Sequence, residues 1–105
     1  MPPVDVELSR YFSASYKEGR QKFFEFCQRH GLEIQSHVHP TLKGPSAEDL
    51  SIDAVWYGSR DAKRVLVFSC GTHGLEAAAG AATILRWLDR SGPGQLPEDM
   101  AALLI

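Results

Sequence analysis

The segment that most constrains this chain is residues 65–76, Val-Leu-Val-Phe-Ser-Cys-Gly-Thr-His-Gly-Leu-Glu. An unbroken apolar run, Val65 to Phe68, is followed by Gly71 and Gly74 and then by an Ala-rich stretch over 77–82. A short continuous apolar run bounded by glycine reads as a strand buried on both faces, because a strand with one wet face would alternate. Strand, tight turn and helix together make half of a βαβ unit, and open α/β sheets place ligands just past the carboxyl ends of such strands. His73 lies in the predicted turn and Glu76 at the predicted helix start, so chemistry is expected there.

The remaining elements follow from periodicity. Pro2 and Pro3 bar an early helix, and residues 1–8 read as an extended arm. Ser15-x-x-Glu18 is a capping-box pattern, with Ser9 or Ser13 able to cap a slightly earlier start. Phe12, Tyr16, Phe23 and Cys27 recur at helical spacing, widened by Phe24 and Phe26, and Gly31 stands where a left-handed cap is wanted. This predicts a helix from about Ser9–Ser13 to His30. Leu32, Ile34 and Val38 then alternate with polar residues as a half-buried strand, which Pro40 should end, and 41–49 reads as a loop. Leu50, Ile52, Ala54 and Trp56 alternate with Ser51, Asp53, Val55 and Tyr57 as a second strand, expected to pair antiparallel with the first at one sheet edge. Residues 64–69 form the expected central strand. A helix runs from Leu75 or Glu76 to Arg90, and Gly80 within it is best explained by close packing. Ser91-Gly-Pro-Gly stops it, and Ala101-Ala-Leu-Leu-Ile105 reads as a strand parallel to the central one. The predicted class is α/β, a mixed β-sheet with flanking helices.

Composition excludes several functions. With 105 residues the chain is one small domain, and 44% hydrophobic content is enough to fold. A net charge of -2 with no basic cluster gives nucleic acid and anionic lipid nothing to hold, and no apolar run spans a bilayer. The N-terminus has no basic region followed by an apolar one, so it does not read as a signal peptide, and two cysteines, Cys27 and Cys70, fit free thiols in a reducing cytoplasm.

Among chemistry-bearing residues, His73-Gly-Leu-Glu76 has the form H-x-x-E. Imidazole and carboxylate are zinc ligands, and a rigid strand followed by a tight turn fixes their mutual geometry. The bland alternative is a capping glutamate beside an exposed histidine. His37 and His39 share a strand face at i, i+2, which suits a solvated edge better than a metal. His30 reads as a residue at a helix C-terminus. Cys70 is better read as a small buried hydrophobe than as a nucleophile. Gly71-x-x-Gly74 before a helix admits a phosphate cradle, without the Lys-Ser/Thr of a P-loop.

Residues 64–80 resemble the zinc-binding segment of the zinc carboxypeptidase superfamily, the carboxypeptidase A type. They are more closely similar to a branch of uncharacterised bacterial carboxypeptidase-like domains. The same branch carries a Tyr-Phe-x-x-Ser-Tyr-x-x-x-Arg-x-x-Phe helix, here Tyr11 to Phe23, and a His-Pro-Leu-x-Gly-Pro type loop, here His39 to Pro45. Ala77-Ala78 departs from the Gly-aromatic pair expected after the glutamate. The resemblance implies a phosphorylase/hydrolase-like fold, His73 and Glu76 as two zinc ligands, and a peptide or amide substrate. It also implies a third ligand (a His), the Arg and Asn that bind the substrate carboxylate, and a general-base Glu, all falling beyond Ile105. The expectation is therefore the N-terminal part of a larger hydrolase, with zinc weak or absent and no catalytic residue in this stretch. The alternative is a non-catalytic α/β module that binds itself or a partner strand through an exposed sheet edge.

Overall fold

The computed structural model describes residues 6–90 and 92–105. Its elements are α1 (Val6–Ser9), α2 (Tyr16–Arg29), β1 (Ile34–Lys43), β2 (Asp49–Tyr57), β3 (Arg64–Phe68), α3 (Ala77–Asp89), a 3-10 turn over Pro93–Gln95 and β4 (Met100–Leu104). The four strands form one mixed sheet in the order β1-β2-β4-β3. β1 pairs antiparallel with β2, β2 pairs antiparallel with β4, and β3 pairs parallel with β4. The α/β class, the mixed sheet and the flanking helices are as the sequence predicts.

Helix α2 begins and ends by side-chain and glycine chemistry. The Ser15 hydroxyl accepts from the Glu18 N–H at 3.1 Å, and Glu18 Oε2 accepts from the Ala14 N–H at 3.0 Å, so the returning arm of the capping box reaches one residue further back than the usual pattern. At the other end Gly31 has φ +67. Its N–H donates to the Gln28 carbonyl, and the Leu32 N–H to the Cys27 carbonyl, each at 3.0 Å, the paired bonds of a Schellman cap.

The core lies between one sheet face and the two long helices. Phe26 and Cys27 of α2, Ala82, Ile84, Leu85 and Leu88 of α3, Val55 of β2, and Ala102 and Leu104 of β4 are buried together. Each fully buried leucine contributes roughly 1.5–3 kcal/mol by its removal from water. Tyr11 joins them at 2% exposure, and its hydroxyl donates to Asp89 at 2.7 Å. The predicted helix start at Ser9–Ser13 is not observed: α2 begins at Tyr16, and Tyr11 and Phe12 lie in the connection before it, where Tyr11 is buried with its polar end satisfied and Phe12 is 50% exposed.

Four further expectations are corrected. Residues 1–5 of the predicted arm lie outside the described residues, but Val6–Ser9 is a short helix, and Leu8 packs on the core. β1 does not stop at Pro40. It runs to Lys43 through a register break between Val38 and Lys43, which an edge strand tolerates because its outer N–H groups need no partner. β3 is an edge strand and not the central one, with Val65 43% and Val67 53% exposed. The two-sided burial inferred for it belongs to β4, which sits between β2 and β3, with Ala101, Ala102 and Leu104 all buried. Finally, α3 starts at Ala77, and Leu75 is 96% exposed.

β2 reaches past the end of β4, which pairs only with Val55 to Tyr57. The freed backbone is completed by a side chain. The Ser51 N–H donates to Tyr16 Oη at 2.7 Å, and the Tyr16 hydroxyl donates to the Ser51 carbonyl at 3.1 Å. One phenol thus stands in for a neighbouring strand, since it both donates and accepts.

Candidate functional site

The turn that carries His73 starts from an anchored strand end. The Ile105 N–H donates to the Phe68 carbonyl at 2.8 Å, and the Cys70 N–H donates to the Ile105 carbonyl at 3.0 Å. The chain then redirects at Gly71, whose φ of +78 is a conformation that a β-carbon disfavours. Helix α3 meets the strand end closely. A β-carbon on Gly80 would lie 2.7 Å from Cys70 Cβ, so the predicted close approach at Gly80 is present and its contact is the residue three before His73.

Glu76 is the N-cap residue of α3, but its side chain makes no capping bond. Its carbonyl accepts the Gly80 N–H at 3.1 Å, while its carboxylate turns back over the turn. Glu76 Oε1 lies 3.1 Å from His73 Nδ1. The two sequence-predicted groups therefore converge. Donors about 2.0–2.1 Å from a tetrahedral zinc stand about 3.3 Å from each other, so the separation suits either a direct His–Glu contact or a shared ion. Both side chains are open to water, at 80% and 63% exposure. The carboxylate also lies at the helix N-terminus, where the macrodipole favours an anion.

What the pair can do chemically is hold two corners of a cation's coordination shell. Among the described residues no group of three or more His, Cys, Asp or Glu comes together to hold a metal ion. The other three histidines are placed elsewhere. His30 caps α2 and is exposed, and His37 and His39 are exposed on edge strand β1. His39 has a local task, because its Nδ1 accepts the Thr41 and Leu42 N–H groups at 3.2 and 3.0 Å across the register break. Cys70 is half-buried, and burial pushes its thiol up, away from the thiolate a nucleophile needs. Cys27 is fully buried and pushed up to about 12, first by burial and then by Asp53. In the Gly71–Gly74 turn the Ala77 and Ala78 N–H groups already donate to the Gly74 and Leu75 carbonyls, which engages donors a phosphate cradle would use.

One polar cluster was not singled out from the sequence. Asp53 points toward the helices from the inner face of β2 and accepts from Arg20 Nε at 2.8 Å, Ser36 Oγ at 2.7 Å and Ser51 Oγ at 2.8 Å. Burial pushes its carboxyl up, but the hydrogen bonds from Arg20, Ser36 and Ser51 outweigh it and hold the group below the usual range. An open cleft of about 290 Å³ lies beside it, lined by Tyr16, Lys17, Arg20, Phe24 and Asp49 among others. His73 does not line it. The available signal was an acid spaced two residues from Val55 on the same strand face, which demands a cation from whatever packs there.

No described helix is long and apolar enough to cross a membrane. No curated protein matches the sequence closely enough to carry an argument. A family model described as "Protein of unknown function (DUF2817)" matches residues 12–105, which takes in α2, all four strands, the His73 turn and α3. The chain therefore belongs to the DUF2817 family.

Proposed function

We propose that this chain is the N-terminal part of a zinc-dependent, carboxypeptidase-like hydrolase of peptide or amide bonds, and that it supplies two metal ligands, His73 and Glu76. The observation that carries the reading is the 3.1 Å approach of imidazole to carboxylate on the turn after β3. The resemblance of residues 64–80 to the zinc carboxypeptidase segment supports the same assignment, and so does a mixed sheet whose parallel pair feeds that turn.

The donor types fit zinc, and the set is incomplete, so a further ligand has to come from outside the described residues. Bound zinc would lower the pKa of a coordinated water and polarise the scissile carbonyl. The chain's own part is geometric. Gly71 turns the backbone, the contact at Gly80 seats α3 against the strand end, and the N-cap position of Glu76 aims its carboxylate at His73. The free cysteines fit a reducing compartment such as the cytoplasm.

The test is a zinc titration followed by NMR on the histidine ring signals. His73 is expected to shift first and weakly, ahead of His30, His37 and His39, and Glu76→Gln is expected to weaken the response further. No peptidase or amidase turnover is expected from the 105 residues alone. Tight equimolar zinc with turnover would overturn the partial-site reading. A His73 signal indifferent to zinc would overturn the ligand assignment.

A further inference from the structure

A second concave site stands apart from the His73 turn. It is the open cleft of about 290 Å³ beside Asp53, near the lower end of the size range of small-molecule sites. Helix α2 contributes Tyr16, Lys17, Arg20 and Phe24 to it, and the chain where β2 begins contributes Glu48 and Asp49. These segments lie on the flank of the sheet that edge strand β1 closes, and Pro40 with the register break keeps a further strand from adding there.

Three of these side chains are fixed before any ligand arrives. Arg20 donates bidentately to Asp53, from Nε at 2.8 Å and from Nη2 at 3.2 Å, and the Asp53 side chain is only 10% exposed. The guanidinium also stacks on the Phe24 ring, 4.8 Å from its centroid. Tyr16 is tied by its hydroxyl to the Ser51 backbone. The Glu48 carboxylate folds back over Gly44, where a β-carbon would lie 2.3 Å from Oε1, and its Oε2 accepts the Ser46 N–H at 2.6 Å. What these bonds leave over is of both signs. Among the described residues, Arg20 Nη1, the Lys17 ammonium and Asp49 Oδ2 have no hydrogen-bond partner, while Asp49 Oδ1 is paired with Lys43.

We infer that this cleft binds a free α-amino acid with an apolar side chain. The carboxylate takes Arg20 Nη1 and Lys17, the ammonium takes Asp49 Oδ2, and the side chain lies against Phe24 and Tyr16. Charge selects the zwitterion. A simple carboxylate would bring an uncompensated anion up to Asp49, and a simple amine would bring a cation up to Lys17 and Arg20. Each of those approaches sets like charges together, whereas the zwitterion meets an opposite charge at both ends. An arginine already clamped on Asp53 and a tyrosine already tethered to Ser51 lose little freedom when they receive a ligand, so modest contacts are enough for a measurable affinity. The inference does not rest on the metal reading, because none of these residues is a proposed zinc ligand.

Backbone amide NMR spectra of the chain, titrated with L-phenylalanine in chelator, test this. Saturable shifts are expected at Lys17, Arg20, Phe24 and Asp49 and not around His73. N-acetyl-phenylalanine lacks the ammonium and phenylalanine amide lacks the carboxylate. Each is expected to bind about tenfold more weakly, as the loss of one charge-assisted hydrogen bond predicts. Lys17→Ala, at an exposed side chain, and Asp49→Asn, which keeps the shape and removes the charge, are expected to weaken phenylalanine binding to a similar degree. The two analogues decide the matter if a variant loses its fold. The inference is overturned by an absence of saturable shifts, by shifts confined to residues outside the cleft, by an acetylated or amidated analogue that binds as tightly as the amino acid, or by binding that both folded variants leave unchanged.

Discussion

Gly80→Ala isolates the contact that seats the candidate site. In an ordinary helix interior this substitution stabilises, by about 1 kcal/mol, because alanine loses less backbone freedom. Here the added methyl would stand 2.7 Å from Cys70 Cβ, with Cys70 Cα at 3.7 Å. Ordinary carbon contacts begin near 3.5 Å, so about 0.8 Å must be found. The atom in the way is a β-carbon fixed to the backbone, and no rotamer change removes it. Either α3 lifts from the strand end or the segment around Cys70 moves, and overpacking of this kind costs about 1–3 kcal/mol. The balance is a net loss of about 1 kcal/mol, seen as a lower urea midpoint at unchanged slope. Cys70→Gly removes the opposing carbon, so in the Gly80→Ala background its own cost should shrink by about 1–3 kcal/mol, a coupling a double-mutant cycle measures. The same lift should disturb the His73–Glu76 approach, visible as a changed His73 ring shift. A Gly80→Ala chain that is stabilised by the full helix-propensity gain, with no coupling to Cys70, would refute the close-packing argument.

Three further outcomes follow from particular contacts. Asp53→Ala strips Arg20, Ser36 and Ser51 of their shared acceptor and should cost about 2–3 kcal/mol, as charge-assisted bonds left without a partner do, in denaturant titrations at neutral pH. Because the folded Asp53 carboxyl is held low, its contribution is present above the ordinary aspartate range near pH 4 and is lost as pH falls through the lower folded value, so stability below about pH 4 should fall less steeply in Asp53→Asn than in the wild type. Ser15→Ala removes the hydroxyl that caps α2 and should cost about 1 kcal/mol by the same assay. In a native iodoacetamide time course, Cys27 should stay unmodified while half-buried Cys70 reacts slowly, and fast labelling of Cys27 would show that the core opens.

The local features were legible because short-range chemistry decides them. Ser15 and Gly31 bound α2 through side-chain capping and a left-handed residue, and Gly71 and the alanine run announce the turn and α3. His73 and Glu76 were found as a pair because three residues of tight turn leave them little choice but to meet. The polar cluster around Asp53 was not legible, since Arg20 stands 33 positions away and no periodicity links them.

By itself the sequence determined the order of helices and strands, the caps, the α/β class and the residues where chemistry is to be sought. Only the tertiary structure decided that β4 takes the middle of the sheet and β3 its rim, and therefore which apolar strand is buried twice over and which presents its valines to water. The physical reason is that hydrophobicity along a strand records how much burial it can accept, whereas the neighbour that delivers the burial is chosen by pairing across the fold. In β4 small Ala101 and Ala102 are buried in that middle position, whereas in β3 Val65 and Val67 are left 43% and 53% exposed.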